Sequence, residues 1–568
     1  MALQIALIGP PRLIVGGERR VPRGRKAWAV LARVLLSEQP PSRRQLAAEL
    51  FPDADDPSGA LRWTLAELRR ALGVPAALRG DPVHAGLPAD AEVDVLLYRS
   101  GRRASPEVSG GSLLQGAEPT GSPEFDSWLL VERQRVAGWV DAALREAVLL
   151  ALAMRDLDRA ISLAREAVSR DPLDEARHVL LVRALAEAGQ LDAARDQVSA
   201  AERLLAAELG RAPSVSLRSA ARARADQPAL GVTPRAAAAS SLTAGKAALQ
   251  AGAVDAGVEC LRRAVVAAEN AGDPVLHAST LLSLGSALVH AVRGHDDEGS
   301  ILLHQALVVA RDRGESRVVA EALAELGYVD AVAGRRGHAD ARLREALSWA
   351  DDDPALLARI NGAAGLNLVD WDRLPEAEER LVESVDLARS AGRTRQVVSS
   401  SAALGRARWL RGDAAGSRQA LDESIAGVEE TGWMAYRPWP LAQLGELDLA
   451  AGRDPAEVAA RMEEAFALSC QLGDPCWEGA TGRVLALALD AAAADGALAW
   501  AAEARRHATR SLDRYAWMYG WALVTEAEMA QRHGEDLAAR TAAASARDLG
   551  ARAELPAVLS RALAVLVG

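Results

Sequence analysis

"ALRWTLAELRRALG", Ala60–Gly73, decides how the front of this 568-residue chain folds. On a helical wheel Leu61, Leu65, Leu68 and Leu72 fall on one narrow face, the stripe of a helix packed on a core. The opposite side holds Gly59, Trp63, Ala66, Glu67 and Arg70, flanked by Arg62 and Arg69. A tryptophan among small residues and three arginines is unusual for a solvated face. It suits a helix laid in a DNA major groove, where small residues allow close approach, arginine pairs with guanine or phosphate, and glutamate accepts from cytosine. The competing reading is an ordinary amphipathic helix with Arg–Glu pairs.

The flanks supply context. Upstream, "LQIALIG", "RLIV" and "ERRVP" read as short strands with turns at Gly9–Pro11 and Gly16–Gly17. A helix follows over about 25–38, with Trp28, Leu31, Val34 and Leu35 on one side. Ser42 with Gln45 three residues on is a capping box, so a second helix starts there, and Pro52 ends it. After Gly73, "LRGDPVHAGLP" reads as a hairpin turning at Gly80–Pro82. The order is strands, three helices, hairpin.

Charge is divided along the chain. Residues 1–90 carry 13 Arg/Lys against 9 Asp/Glu, a net of +4, whereas the remainder carries 53 against 68, a net of −15. A basic end on an acidic body is the pattern of a nucleic-acid module tied to a regulatory part. No apolar run is long enough for a membrane span and no basic residue precedes the first apolar stretch, so neither a transmembrane helix nor a signal peptide is expected. Cys260, Cys470 and Cys476 are too few for a disulfide framework and fit a reducing cytoplasm. Cys470 and Cys476 lack a paired CxxC or a nearby histidine and read as buried thiols; no metal is expected. "TAGKAAL" around Lys246 lacks the first glycine and the Ser/Thr of a phosphate loop. With no nucleophile–base pattern among nine scattered histidines, the expectation is a protein that is not an enzyme and needs no cofactor.

The helical layout and the phrases "LIGPPRLIV", "VPRGRKAWAVLARVLL", "SRRQLAAELFPDAD" and "ALRWTLAELRRALG" resemble the OmpR/PhoB-type winged helix at the front of the Streptomyces antibiotic regulatory proteins, the SARP family. "SPEFDSWLLVERQRV", "AISLAREAVSRDPLDEARHVLLVRALAEAGQLDAARDQ" and "LLAAELGRAPSVSLRSA" resemble the bacterial transcriptional activator domain that follows it there. The chain departs from the family at Ser58, Ala60 and Trp63, which bears on base preference. The resemblance implies a cytoplasmic, sequence-specific regulator that seats tandem copies on direct repeats of double-stranded DNA and activates through RNA polymerase. Its expected DNA-binding residues are Arg43, Arg44, Arg62, Trp63, Thr64, Glu67, Arg69, Arg70 and Arg79.

Beyond a Gly/Ser/Pro-rich stretch at 100–122 the pattern is helical, with "DQPALGVTPR" (226–235) as a linker. A phrase Leu/Met-x-x-Ala/Ser-apolar then recurs at Leu261, Leu303, Leu343, Leu381, Leu421 and Met462, spaced by 38 to 42 residues. A steady period near 40 means stacked helical pairs, best matched by a tetratricopeptide-like α-solenoid. The expected fold is thus mainly α: a small α/β winged helix-turn-helix domain (1–93), a helical tetratricopeptide-like activator domain (94–225) and an α-solenoid (236–568). Ten of the 21 aromatic residues fall within 433–521. Trp439, Trp477 and Trp517 should stand side by side on equivalent helices, and with Trp433, Tyr515 and Trp521 they are candidates for a small-molecule or protein-partner site, aided by Arg437 and Arg514. Inter-repeat packing is the alternative for these rings. For the whole chain the alternative is a helical-repeat scaffold or ligand sensor whose N-terminal domain binds DNA weakly or not at all.

Overall fold

The computed structural model describes residues 3–24, 26–101, 111–116, 122–210, 212, 214–221, 233–510, 513 and 515–567. The stretches 100–122 and 226–235 lie in large part outside these, as does Arg514. The described residues divide into two compact units, 1–144 and 145–568.

The first unit opens with strands β1 (Leu3–Ala6), β2 (Arg12–Val15) and β3 (Glu18–Arg20), then helices α1 (Ala27–Leu36), α2 (Arg43–Leu50) and α3 (Pro57–Leu72), then β4 (Glu92–Val93) and α4 (Asp94–Arg99). The sheet order is β3-β2-β1-β4, with β4 parallel to β1 and the other pairs antiparallel. Leu3, Ile5, Leu13 and Val15 alternate inward onto α1. That helix is buried on every side, with Arg33 alone among its ten residues left partly exposed, where an apolar stripe was expected. It packs on α2 and α3 and shares one core with the strand residues, so little of it meets water.

Ser42 caps α2 by accepting from the Gln45 amide at 3.1 Å. The reciprocal half of the capping box is absent, because the Gln45 side chain turns to Glu49 instead. The third helix starts three residues before the expected Ala60: Asp56 accepts from the Gly59 amide at 2.8 Å and Pro57 occupies the first turn. Gly73, at φ +68°, ends it in the left-handed region. Asp94, expected as the first residue of a new domain, instead accepts from the Leu7 and Ile8 amides at 2.9 and 3.0 Å. Phe125, Leu129, Val136 and Trp139 from the front of helix α5 (Pro123–Ala153) complete the same core.

Among the described residues the second unit has only helices as regular elements. After α5 come α6 (Leu157–Arg170), α7 (Glu175–Glu187), α8 (Leu191–Leu209) and α9 (Val215–Ser219). Eight helical pairs follow: α10 (Pro234–Gln250) with α11 (Val254–Ala271), α12 (Pro274–Ala291) with α13 (Asp296–Arg313), α14 (Ser316–Val332) with α15 (Arg336–Trp349), and α16 (Pro354–Asp370) with α17 (Leu374–Ser390). The series continues with α18 (Thr394–Leu410) and α19 (Ala414–Thr431), α20 (Pro438–Ala450) and α21 (Pro455–Leu472), α22 (Pro475–Ala491) and α23 (Ala497–Ala508), and α24 (Ala516–Arg532) and α25 (Asp536–Arg552), closed by α26 (Pro556–Val567).

The five recurring leucines and Met462 lie on the second helices of the first six pairs and are buried to 2% exposure or less. What each one meets is a glycine on the first helix. Gly245 faces Leu261, Gly285 faces Leu303, Gly327 faces Leu343, Gly365 faces Leu381 and Gly405 faces Leu421. A Cβ at Gly327 would stand 2.7 Å from the Leu343 Cγ, a separation no carbon pair tolerates. The two helices therefore cross at near backbone contact, with the leucine as the knob and the glycine as the hole.

Helix propensity alone favours alanine over glycine by about 1 kcal/mol. Gly327→Ala should nevertheless destabilise the chain, by about 1–3 kcal/mol through overpacking. Denaturant melts of the two proteins give the sign directly, and stabilisation would rule out the close crossing.

Candidate nucleic-acid interface and aromatic centre

Helix α3 presents the predicted stripe inward: Leu61, Leu65, Leu68 and Leu72 are all buried. Its outer side exposes Arg62, Trp63, Ala66 and Arg70. Two expected contacts change place. Thr64 is buried at 3% exposure and its hydroxyl donates to the Ala60 carbonyl at 2.9 Å. Glu67 is 9% exposed: the loop after β3 folds over it, its carboxylate accepts from the Arg23 amide at 3.2 Å, and it pairs with Arg70. The Arg70 hydrogen bond holds this carboxyl below the ordinary glutamate range. With its oxygens accepting from the Arg23 amide and Arg70, Glu67 braces the loop after β3.

Beside α3 the hairpin forms as predicted, with Leu78 donating to Ala85 at 3.1 Å and His84 to Arg79 at 3.0 Å. Its turn gathers three arginines. Arg43 Nε donates to the Gly80 carbonyl at 2.9 Å, Arg69 Nη1 to Leu78 at 3.1 Å and Arg79 Nε to Pro75 at 2.7 Å. Each guanidinium is anchored by one backbone carbonyl, which leaves further N–H groups for a ligand. Burial, then repulsion from Arg79 and Arg43, holds Arg69 below the ordinary arginine value. Asp81 is the acidic neighbour, accepting from the Arg43 amide. Arg44 is exposed at the start of α2, and Arg62 makes a loose pair with Asp56 at 3.4 Å, both side chains about two-thirds exposed.

In the solenoid the aromatic residues do meet. Trp439 stacks on Trp477 at 5.0 Å between ring centroids and lies edge-on to Trp517 at 5.9 Å, the expected alignment of equivalent helices. Trp433 stacks on Tyr436 at 4.6 Å. Trp439, Tyr515 and Trp517 are buried; Trp433, Trp477, Trp521 and Arg437 are half-buried. Cys470, expected as a buried thiol, is exposed on the last turn of α21.

The centre of this cluster is a residue the sequence reading passed over. Arg406, 3% exposed, sits 4.2 Å from the Trp517 ring centroid and 5.6 Å from that of Trp439. It donates to the Tyr515 hydroxyl at 2.7 Å and pairs with Asp370, which Arg336 also approaches at 3.3 Å. Burial raises the Asp370 carboxyl above the usual aspartate range despite both guanidiniums, and burial holds Tyr515 well above the tyrosine range. Arg336 is fully buried and reaches the Ala553 carbonyl at 3.3 Å. Arg293 and Asp474, 2.6 Å apart, tie the α12–α13 turn to the start of α22. Late repeats are thus tied to earlier ones at the Asp370 group and at the Arg293–Asp474 pair.

Residues 107–223 match the model of the bacterial transcriptional activator domain. The match spans α5 to α9. Solved structures similar to the chain include EmbR of Mycobacterium tuberculosis, in complex with a low-affinity phosphopeptide, at 16% identity and TM-score 0.30 over 39% of this chain and 64% of that one. A signal-transduction ATPase with a tetratricopeptide repeat sensor from Pyrococcus horikoshii is 13% identical, TM-score 0.38, over 56% and 52%. Yeast Tom70 is 12% identical, TM-score 0.31, over 78% and 91%. The chain thus spans less than two thirds of the first two. No curated protein matches it. Among the described residues no helix is long and apolar enough to cross a membrane, and no group of His, Cys, Asp or Glu is arranged to hold a metal ion.

Arg406→Met leaves Asp370 buried with one partner fewer. It should cost about 3 kcal/mol of stability and shift the tryptophan emission to the red as Trp439 and Trp517 lose their cover. Urea melts followed by fluorescence test both.

Proposed function

We propose that the front of the chain is a winged helix-turn-helix module that binds duplex DNA, with α3 as the recognition helix and the hairpin at 78–85 as the wing. The observation that carries this reading is the convergence of Arg43, Arg69 and Arg79 on one turn beside the exposed face of α3. Three cations held at one place by neutral carbonyls repel one another until an anion arrives, and a phosphate backbone supplies one. Arg44 extends the cationic side, and Arg62, Trp63 and Arg70 are the exposed side chains on the outer face that would meet base edges, Arg70 from its pair with Glu67. The activator domain supports recruitment of RNA polymerase by copies seated on DNA. The solenoid is the regulatory body; any signal that reaches its aromatic centre enters at the half-exposed Trp433, Trp477 and Trp521.

The test is selection of bound fragments from random duplexes by the full chain, followed by affinity against salt. Log affinity should fall linearly with log salt as phosphate contacts release counterions. Arg44→Ala and Arg79→Ala should weaken all sequences alike and lower the salt slope by about 1 each. Arg62→Ala and Arg70→Ala should relax preference at one base pair each, by about 1–3 kcal/mol. Salt-insensitive or absent binding would favour the scaffold reading.

A further inference from the structure

Trp63 is the one large apolar side chain on the outer face of α3, and it is 54% exposed. Burying a tryptophan stabilises a small domain, so an indole left in water at this position is a cost the fold does not recover within itself. Its neighbours one turn away on the same face are Gly59 and Ala66, neither of which reaches past the ring. The indole therefore stands as a ridge above a thin strip of helix. It is also held. The loop after β3 passes it at Gly24, where an added Cβ would come within 3.0 Å of the Trp63 Cζ3. The same loop is tied to α3 through the Arg23 amide and Glu67. The ring is pinned along one edge and the rest of it faces outward, on a helix side where Arg62 and Arg70 are also exposed.

We infer that Trp63 reads the 5-methyl group of a pyrimidine in the major groove by apolar contact. This rests on the DNA-binding reading and sharpens it. The thymine methyl is the apolar feature that the major groove displays; the other base edges there are hydrogen-bond donors and acceptors. A protruding hydrocarbon surface gains from covering that methyl and loses by desolvating any polar edge in its place. The arginines on both sides supply the polar and electrostatic contacts, so the indole is left to discriminate by shape and hydrophobicity. Glu67 and Thr64, turned inward, do not compete for the same base pair.

The experiment uses the full chain and the duplex it selects from a random pool. Each thymidine of that duplex is replaced singly by deoxyuridine, which deletes the methyl and keeps the base-pairing edge. One position should lose affinity about fourfold, the ratio expected for one buried methyl. At that position a C·G pair should bind weakly, and 5-methylcytosine should recover part of the loss. Trp63→Ala and Trp63→Gln should be indifferent to uracil there while retaining salt-dependent binding. Thermal melting confirms that both variants fold. If no thymine position is sensitive, or the sensitivity survives in both variants, Trp63 does not read a methyl and DNA binding itself still stands. If no duplex is retained at any salt, the DNA-binding reading fails and this inference with it.

Discussion

The solenoid depends on the contact between a glycine on one helix and a leucine on the next. At Gly245, Gly285, Gly327, Gly365 and Gly405 the first helix offers backbone where a side chain would normally stand, and the leucine of its partner fills the space. This sets the crossing distance within each pair. It thereby sets how far each first helix projects toward the helices stacked on it. Gly445 keeps the position, but Met462 replaces leucine and its thioether lies 3.4 Å from where a Cβ would be. The longer, unbranched side chain adapts to a looser crossing. That is the pair whose first helix carries Trp439 into the aromatic cluster.

Two chemistries share the molecule, and they differ in how charge is satisfied. At the hairpin turn of the front unit, guanidinium groups rest on backbone carbonyls and neighbour other guanidiniums, as with Arg43, Arg69 and Arg79. In the solenoid arginines are spent on carboxylates: Arg406 and Arg336 on Asp370, and Arg418 and Arg461 on Asp448. The chain uses 64 arginines and 2 lysines, so the contrast is one of surroundings and not of residue type. An arginine whose neighbours are carbonyls keeps its charge uncompensated; one paired with a buried carboxylate has part of its charge offset.

Periodic features were legible in the sequence. The leucine stripe of α3, the Ser42 cap, the hairpin turn and the leucine of each repeat follow from local spacing, which the structure keeps. Features that depend on a distant segment were not legible. Glu67 sits on the outer arc of the wheel, yet the loop after β3 closes over it, and no helical projection contains that loop. Asp94 looks like the start of a new segment until β1 ends beside it and offers two amides. Strand β4 is two residues long and has no pattern of its own. Arg406 lies in "GRARWL" with three residues of similar promise; its partners Asp370 and Tyr515 are 36 and 109 residues away. The glycine partners could have been found, since they recur with nearly the same interval as the leucines.

Repeat arrays usually change length in evolution by gaining or losing one unit, because each unit touches only its neighbours. Here that route is obstructed. Arg336 on α15 reaches Ala553 beyond α25, and Arg293 reaches Asp474, so positions separated by 217 and 181 residues must stay in step. Deleting or inserting one helical pair between them would rotate every later unit and leave the buried Arg336 and the more exposed Arg293 facing the wrong groups. The number of repeats between α12 and α26 is therefore locked, and diversification within this architecture is confined to substitutions on the exposed faces and to the ends of the array.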